Sequence, residues 1–247
     1  DGKVELLTGF PEGGQGIPKL KEFDAVLRNP SSRSSEKAIA IAWLMHIGGD
    51  LHQPLHTSGR VTDKEPKGDQ GGNLFQLTPE GTPRAQQVNL HWFWDSIVNR
   101  NVPFKAGMCE RDYIESAARK MIKANPFNSL QAGLKLGQYE EWQKESFAYD
   151  NTVVFSPDLK RNQMPSKQYT KNAFKLAERQ LAIAGAHDSA IGQHVHIVRD
   201  DIIQQPLVMG DDQLGVVRAP QLVDPVGHDL QRVNIQARIG LVQHRQA

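Results

Sequence analysis

Two pairs of side chains in the first hundred residues have the types and the spacing of metal ligands. His46 and Asp50 are four residues apart, and so are His91 and Asp95. Residues four apart lie one above the other on a helix, so each pair presents an imidazole and a carboxylate on one face. Nitrogen and oxygen donors arranged in this way suit zinc.

A third histidine and a glycine-rich loop strengthen the metal-site interpretation. His56 follows Asp50 by six residues, and the sequence Asp-Gln-Gly-Gly-Asn occupies residues 69–73, between the two pairs. A single histidine on a helix is more often structural, but this combination is hard to obtain from core packing, because buried ionisable groups are costly unless paired or ligated. The two glycines fit either a close approach of the backbone to a phosphate or an ordinary tight turn.

Helices are expected to position both pairs. Ser34 or Ser35 is the predicted N-cap of a strong helix that starts near Glu36 and that Pro54 should end. A second helix is predicted over residues 90–98.

The rest of the chain is predicted to be mainly α-helical, with long loops and a small β-hairpin. The best strand candidate is residues 74–77, inside a polar, glycine-rich stretch at 57–87. These features predict an all-α fold. Helical periodicity is found at residues 19–28, 111–123, 130–147 and 169–186.

Composition limits the classes of function. The chain has 247 residues, 38% of them hydrophobic, which suits one domain. A net charge of +1 gives no basic field for tight duplex binding. Cys109 is the only cysteine, which excludes an internal disulfide and cysteine-based zinc sites. No membrane span and no signal peptide are predicted, since the apolar runs are short and residues 1–3 lack the required pattern.

The composition changes abruptly at His187. From there to Ala247 the chain contains no lysine and no glutamate, and three prolines interrupt any long helix. One interpretation is an ordinary C-terminal extension; the other, which we favour, is that this segment does not belong to the domain. The predicted division is a domain over residues 1–186 and an atypical extension over residues 187–247.

The motifs around the candidate ligands resemble those of the S1/P1 family of zinc-dependent single-strand nucleases. They are His-x-x-Gly-Asp-x-His-Gln-Pro-Leu-His at residues 46–56, Asp-x-Gly-Gly-Asn at 69–73 and Asn-Leu-His-x-x-Trp-Asp at 89–95. The resemblance covers about residues 15–186. It implies an all-α fold shared with bacterial zinc phospholipase C.

The resemblance also implies a cluster of three zinc ions. His56, His91 and Asp95 match the three ligands of one zinc, a His/His/carboxylate set with room for water or substrate. His46 matches a ligand of a second zinc, and Asp50, a catalytic position, matches the bridge between the second zinc and the third.

Three residues of the loop match the family in other roles. Asn73, also a catalytic position, matches the asparagine that holds the scissile phosphate, and Gly72 lets the backbone approach that phosphate. Asp69 is expected to orient a ligand histidine from outside the coordination shell.

Other residues near the motifs are expected to be structural. By resemblance, His52 and Gln53 are not ligands, and hydrogen bonding within the protein is their expected role. Trp92 and Trp94 are expected in the core rather than as a platform for stacking bases.

The N-terminal part departs from the family. No histidine precedes His46, so the block that completes the second and third zinc sites in the family is not found. The chain is therefore expected to be truncated at its start, with one complete zinc site and little activity.

The implied function is a zinc-dependent endonuclease, a phosphodiesterase that hydrolyses single-stranded DNA and RNA to 5′-phosphate products. Secretion or a periplasmic location and a monomeric state are expected by resemblance. Two alternatives stay open. One is a phospholipase C-like zinc phosphodiesterase acting on lipid headgroups, and the other is a non-catalytic zinc-binding fragment.

Overall fold

The computed structural model describes residues 14–194, and within them the predicted all-α fold is confirmed. Five longer helices and four short ones are connected by extended loops. The longer helices are α1 (Gly16–Arg28), α2 (Ser34–Leu51), α6 (Glu110–Ala124), α8 (Tyr139–Tyr149) and α9 (Lys167–His194). The short ones are α3 (Pro54–Thr57), α4 (Leu90–Asp95), α5 (Ile97–Asn101) and α7 (Phe127–Leu130).

Helix α2 starts earlier than predicted. Its N-cap is Arg33, whose backbone N–H donates to the Glu36 carboxylate at 2.9 Å, so the predicted cap at Ser34 or Ser35 is wrong. The helix ends at Leu51, before Pro54. Pro54 instead begins α3, where a proline is favoured because the first N–H groups of a helix have no partner within it.

Two predicted helices are divided, and the predicted hairpin is reduced to one pair. Ser96 separates α4 from α5, and a glycine-containing stretch at residues 131–138 separates α7 from α8. Gly137 in that stretch has a φ of +70°, which a continuous helix does not allow. In the described part of the chain, residues 74–77 contribute one isolated antiparallel bridge, between Gln76 and Asn89.

Two apolar clusters form the core, and the candidate ligands lie where they meet. The first joins α1, α2 and α8 and includes Leu51; the second joins α4, α5, α6 and α9 and includes Leu55. Helix α3 follows Leu51 and contains Leu55, so it links the two clusters. The short helices α3 and α4 are thereby fixed by packing rather than by their own length.

Helix α9 continues through the predicted boundary at residue 187. His187 is 1% exposed and stacks on Trp142 with ring centroids 4.2 Å apart. The separate status of residues 187–247 stays a prediction, and residues 195–247 lie outside the described part of the chain. None of the described helices combines the length and the apolar composition that crossing a membrane requires.

Candidate metal centre

Three predicted ligands converge on one point. His91 Nε2 lies 3.4 Å from Asp95 Oδ2 on α4, and His56 Nε2 of α3 lies 3.1 Å from Asp95 Oδ1. The two imidazole rings are nearly parallel, with centroids 4.9 Å apart. One donor atom from each of the three residues lies within 4.8 Å of the other two.

This arrangement fits a zinc ion. Zinc binds nitrogen and carboxylate oxygen at about 2.0–2.2 Å in a tetrahedron, which places neighbouring donor atoms roughly 3.4 Å apart. The contacts of Asp95 with the two histidines have that length. Two imidazoles and one carboxylate leave the fourth position of the tetrahedron for water or substrate, as in catalytic zinc sites.

Each of the two histidines is oriented through its other ring nitrogen. His91 Nδ1 donates to the carbonyl oxygen of Gly71 at 2.8 Å. His56 Nδ1 lies 3.1 Å from Asp50 Oδ1. Both contacts turn Nε2 towards Asp95, and such partners fix the tautomer and the ring orientation of a ligand.

The carboxylates control the charge of the site. Burial lowers the pKa of His56, but Asp50 and Asp95 outweigh burial and raise that pKa to about 10. Burial raises the pKa of Asp95, but its contacts, with His56 foremost, lower it to about 2. The site therefore concentrates negative charge that a proton or a metal cation neutralises.

His46 and Asp50 lie beside this triad. On α2, His46 Nε2 lies 3.5 Å from Asp50 Oδ2, while the other carboxylate oxygen of Asp50 faces His56. The structure thus brings together all five predicted ligands. Their assignment to a second and a third zinc stays a prediction.

The glycine pair packs beneath His91. Gly71 and Gly72 have φ of +63° and +83°, and a Cβ on Gly71 would stand 2.4 Å from the carbonyl oxygen of Leu55. Both the backbone conformation and this close approach require glycine. The two glycines therefore form a tight turn, and their approach to a phosphate stays a prediction.

Asn73 is tied to the start of α4. Its Oδ1 accepts a hydrogen bond from Asn89 Nδ2 at 3.3 Å, and Asn89 Oδ1 accepts one from the Trp92 backbone N–H at 2.7 Å. Asn89 thus caps the helix that holds His91 and links it to the predicted phosphate-holding residue. Sequence reasoning did not assign this role, although an asparagine directly before a predicted helix is a capping signal.

Asp69 is fully buried, and its carboxylate accepts a hydrogen bond from the Arg60 backbone N–H at 2.9 Å. The Nδ1 atoms of His56 and His91 face Asp50 and the Gly71 carbonyl rather than Asp69. The predicted effect of Asp69 on a ligand histidine stays a prediction. Asp69 belongs to the same glycine-rich loop, residues 69–73, as Gly71, whose carbonyl accepts the hydrogen bond of His91.

His52 and Gln53 make the internal hydrogen bonds expected of them. His52 Nδ1 donates to the Gly48 carbonyl at 2.7 Å. Gln53 Nε2 donates to Asp95 Oδ1 at 2.9 Å, so it holds a predicted ligand in place. The sequence alone does not reveal that contact, because the two residues are 42 positions apart.

The two tryptophans of α4 differ from each other. Trp94 is 2% exposed and lies in the core as predicted, but Trp92 is 41% exposed, so its predicted core position is wrong. Trp92 lies on the solvent side of a six-residue helix whose apolar face is filled by Leu90, Phe93 and Trp94.

A family model described as S1/P1 nuclease matches residues 10–190. The chain belongs to this family. It is 31% identical to Nuclease S1 of Aspergillus oryzae over 93 residues, and this match covers 38% of this chain and 26% of that protein. It is also 25% identical to Endonuclease 3 of Arabidopsis thaliana over 175 residues, and this match covers 71% of this chain and 48% of that protein. The chain thus spans about half or less of the length of these curated relatives.

Proposed function

We propose that this chain is a zinc-dependent nuclease that hydrolyses phosphodiester bonds of single-stranded DNA and RNA and leaves 5′-phosphate products. The observation that supports it most is the convergence of His56, His91 and Asp95 within 4.8 Å. Membership of the S1/P1 nuclease family and similarity to proteins named Nuclease S1 and Endonuclease 3 support the reaction class.

The proposed zinc is held by His56, His91 and Asp95. When bound, zinc supplies a Lewis acid that lowers the pKa of water towards neutrality and stabilises charge on the phosphate and the leaving oxygen. Gln53 and Asp50 keep the ligand side chains aligned through the contacts described above, so the site is organised before substrate arrives.

The remaining roles follow the family pattern. In that pattern His46 and Asp50 would supply part of the ligand sets of a second and a third zinc, with Asp50 as the bridge, and only the His56/His91/Asp95 site is complete among the described residues. Asn73 and the Gly72 backbone hold the scissile phosphate. The link from Asn73 to α4 through Asn89 supports this assignment, because it fixes the distance between the phosphate-holding group and His91.

A single strand suits the surface next to the ligands. Trp92 directly follows His91 and is 41% exposed, and Leu74 directly follows Asn73 and is 44% exposed. Exposed aromatic side chains stack with unpaired bases at about 1–3 kcal/mol per base.

S1/P1 nucleases are generally secreted, which supports an extracellular or periplasmic location.

The test compares hydrolysis of single-stranded DNA and of a phosphatidylcholine analogue by the zinc-loaded chain. We expect slow cleavage of the DNA, in line with the low activity predicted from the sequence, its loss on chelation of zinc, and a further loss of at least about 100-fold in His91→Ala. The control is Asp63→Asn, which changes an exposed carboxyl in the loop between α3 and α4. This variant should keep the activity of the wild type. Turnover of the lipid analogue alone would favour a phospholipase-like enzyme, and zinc binding without either activity a non-catalytic role.

A further inference from the structure

A second pair of carboxyl groups lies outside the metal centre and is more deeply buried. Asp150, which begins the π-helical turn Asp150–Val154, is 2% exposed, and Asp69 is fully buried. Both bind one short segment: the Ser58 hydroxyl donates to Asp150 Oδ2, and the Arg60 N–H donates to Asp69 Oδ1. The other oxygens of these carboxyl groups, Asp150 Oδ1 and Asp69 Oδ2, have no hydrogen-bond partner among the described residues.

Burial keeps Asp150 protonated at neutral pH. An ionised carboxylate without sufficient partners is costly in the interior, so such a group takes up a proton instead. Burial, helped by the negative charge of Asp69, raises the pKa of Asp150 to about 8. A carboxylic acid at this position donates as well as accepts hydrogen bonds.

No cation compensates Asp150 directly within the described structure. Arg60 lies beside Asp69, with its guanidinium 4.5 Å from the centre of the Phe155 ring. From α9 the titratable neighbour is Tyr169, whose hydroxyl donates to the Val154 carbonyl. From α8 it is Glu145, which accepts a hydrogen bond from the tyrosine before Asp150. The histidine of α3 faces Asp50 and the ligand carboxylate instead.

The segment that Asp150 holds supports the metal centre. The carbonyl oxygen of Ser58 lies 3.2 Å from where a Cβ on Gly71 would stand, so Gly71 rests directly on this segment. The Gly71 carbonyl in turn accepts the hydrogen bond of His91 Nδ1. Neighbouring groups therefore connect Asp150 through Ser58 and Gly71 to His91.

We propose that Asp150 is a positioning residue, which holds Ser58 and thereby sets, through Gly71, the orientation of His91. The inference rests on the proposed function only for the role of His91 as a zinc ligand. Ionisation of Asp150 places a second negative charge beside Asp69 in a buried space and loosens the segment.

The first test measures unfolding of the full chain between pH 4 and pH 9 in the presence of a chelator. Because the folded-state pKa of Asp150 is raised from 3.8 to about 8, folding takes up a proton in this window, and stability falls as the pH rises through it. Relative to Asp150→Asn, the folding equilibrium constant of the wild type should fall by up to about tenfold per pH unit. Asp63→Asn should follow the wild type. Parallel profiles of the wild type and Asp150→Asn would overturn the proposal.

The second test measures zinc affinity at pH 7. Asp150→Asn, which keeps a neutral group of the same shape, should bind zinc as the wild type does, whereas Asp150→Ala should weaken binding by about 10–100-fold. Wild-type affinity in both variants would contradict a positioning role. If Asp150→Ala does not fold, the pH profiles of Asp150→Asn and the wild type decide alone. Neither measurement uses a nucleic acid, so a failure of the nuclease proposal is distinguishable from a failure of this one.

Discussion

Two pairs of neighbouring histidine rings occur in the described part of this chain, in different surroundings. The centroids of His56 and His91 are 4.9 Å apart, and those of His52 and His187 are 5.2 Å apart. Carboxylates surround the first pair. The second pair packs against Trp142, whose ring stacks on His187, and bonds to backbone groups.

The surroundings shift the pKa values of His56 and His187 in opposite directions. Burial lowers the pKa of a histidine in both places, but Asp50 and Asp95 reverse the shift at His56 and raise its pKa to about 10. At His187 burial acts unopposed, His52 adds to it, and the pKa falls to about 3. Proximity of two histidines is therefore not enough to predict a metal site. Carboxylates beside the histidines are also needed.

The largest expected effect is the loss of zinc from the first pair. His91→Ala should abolish zinc binding at the His56/His91/Asp95 site, because two protein ligands are too few for tight tetrahedral binding. His187→Phe, which keeps an aromatic ring on Trp142, is the matched control and should keep the ion. Metal analysis of the purified variants checks this prediction. Zinc retained by His91→Ala would contradict the proposal that the His56/His91 pair holds the ion.

The next largest effect is structural and belongs to the second pair. Trp142→Ala removes a ring that is 2% exposed and packs on His52, Tyr139 and His187, so it should lower the free energy of unfolding by about 3–5 kcal/mol. Denaturant unfolding measures it. A loss below about 1 kcal/mol would show that this cluster does not support the fold.

A pH effect of opposite sign to that of Asp150 is expected at His187. Its folded-state pKa lies well below the unfolded value, so its contribution to stability is present above about pH 6.5 and is lost as the pH falls towards 3. The slope is up to about 1.4 kcal/mol per pH unit. His187→Phe should flatten the profile between pH 6.5 and pH 4, and an unchanged slope would rule out His187 as the source.

The smallest expected effect separates two glycines with positive φ. Gly107→Ala should lower the free energy of unfolding by about 1 kcal/mol, because Gly107 has a φ of +81°. The loss should be no larger, because an added Cβ would meet nothing within 4 Å. Gly71→Ala should cost roughly 1–3 kcal/mol more and weaken zinc binding, because its Cβ collides with the Leu55 carbonyl below His91. Equal unfolding free energies for the two variants would contradict the close packing.

The residues that converge at the candidate metal centre were predictable from the sequence, because they lie in specific motifs with local spacing. His91 and Asp95, for example, are four residues apart on one helix. The residues that hold these side chains in place were not predictable. Gln53 meets Asp95 across 42 positions, and Ser58 meets Asp150 across 92, so only the folded chain brings them together.

The fold class was predictable for a similar reason, and the element boundaries were not. Helical periodicity identified α6 and most of α9 within a few residues. It did not locate the break between α7 and α8, because there the positive φ of Gly137 prevents a continuous helix. It also did not distinguish Trp92 from Trp94, because the exposure of a side chain depends on what the rest of the chain packs against it.

The most direct test of the account is a crystal structure of the zinc-loaded chain with diffraction data at the zinc absorption edge. We predict an anomalous peak about 2.0–2.2 Å from His56 Nε2, His91 Nε2 and an Asp95 carboxylate oxygen. We predict none between His52 and His187. A zinc-loaded crystal without a peak at the triad, or with its zinc between His52 and His187, would contradict the claim that the carboxylates select the metal site.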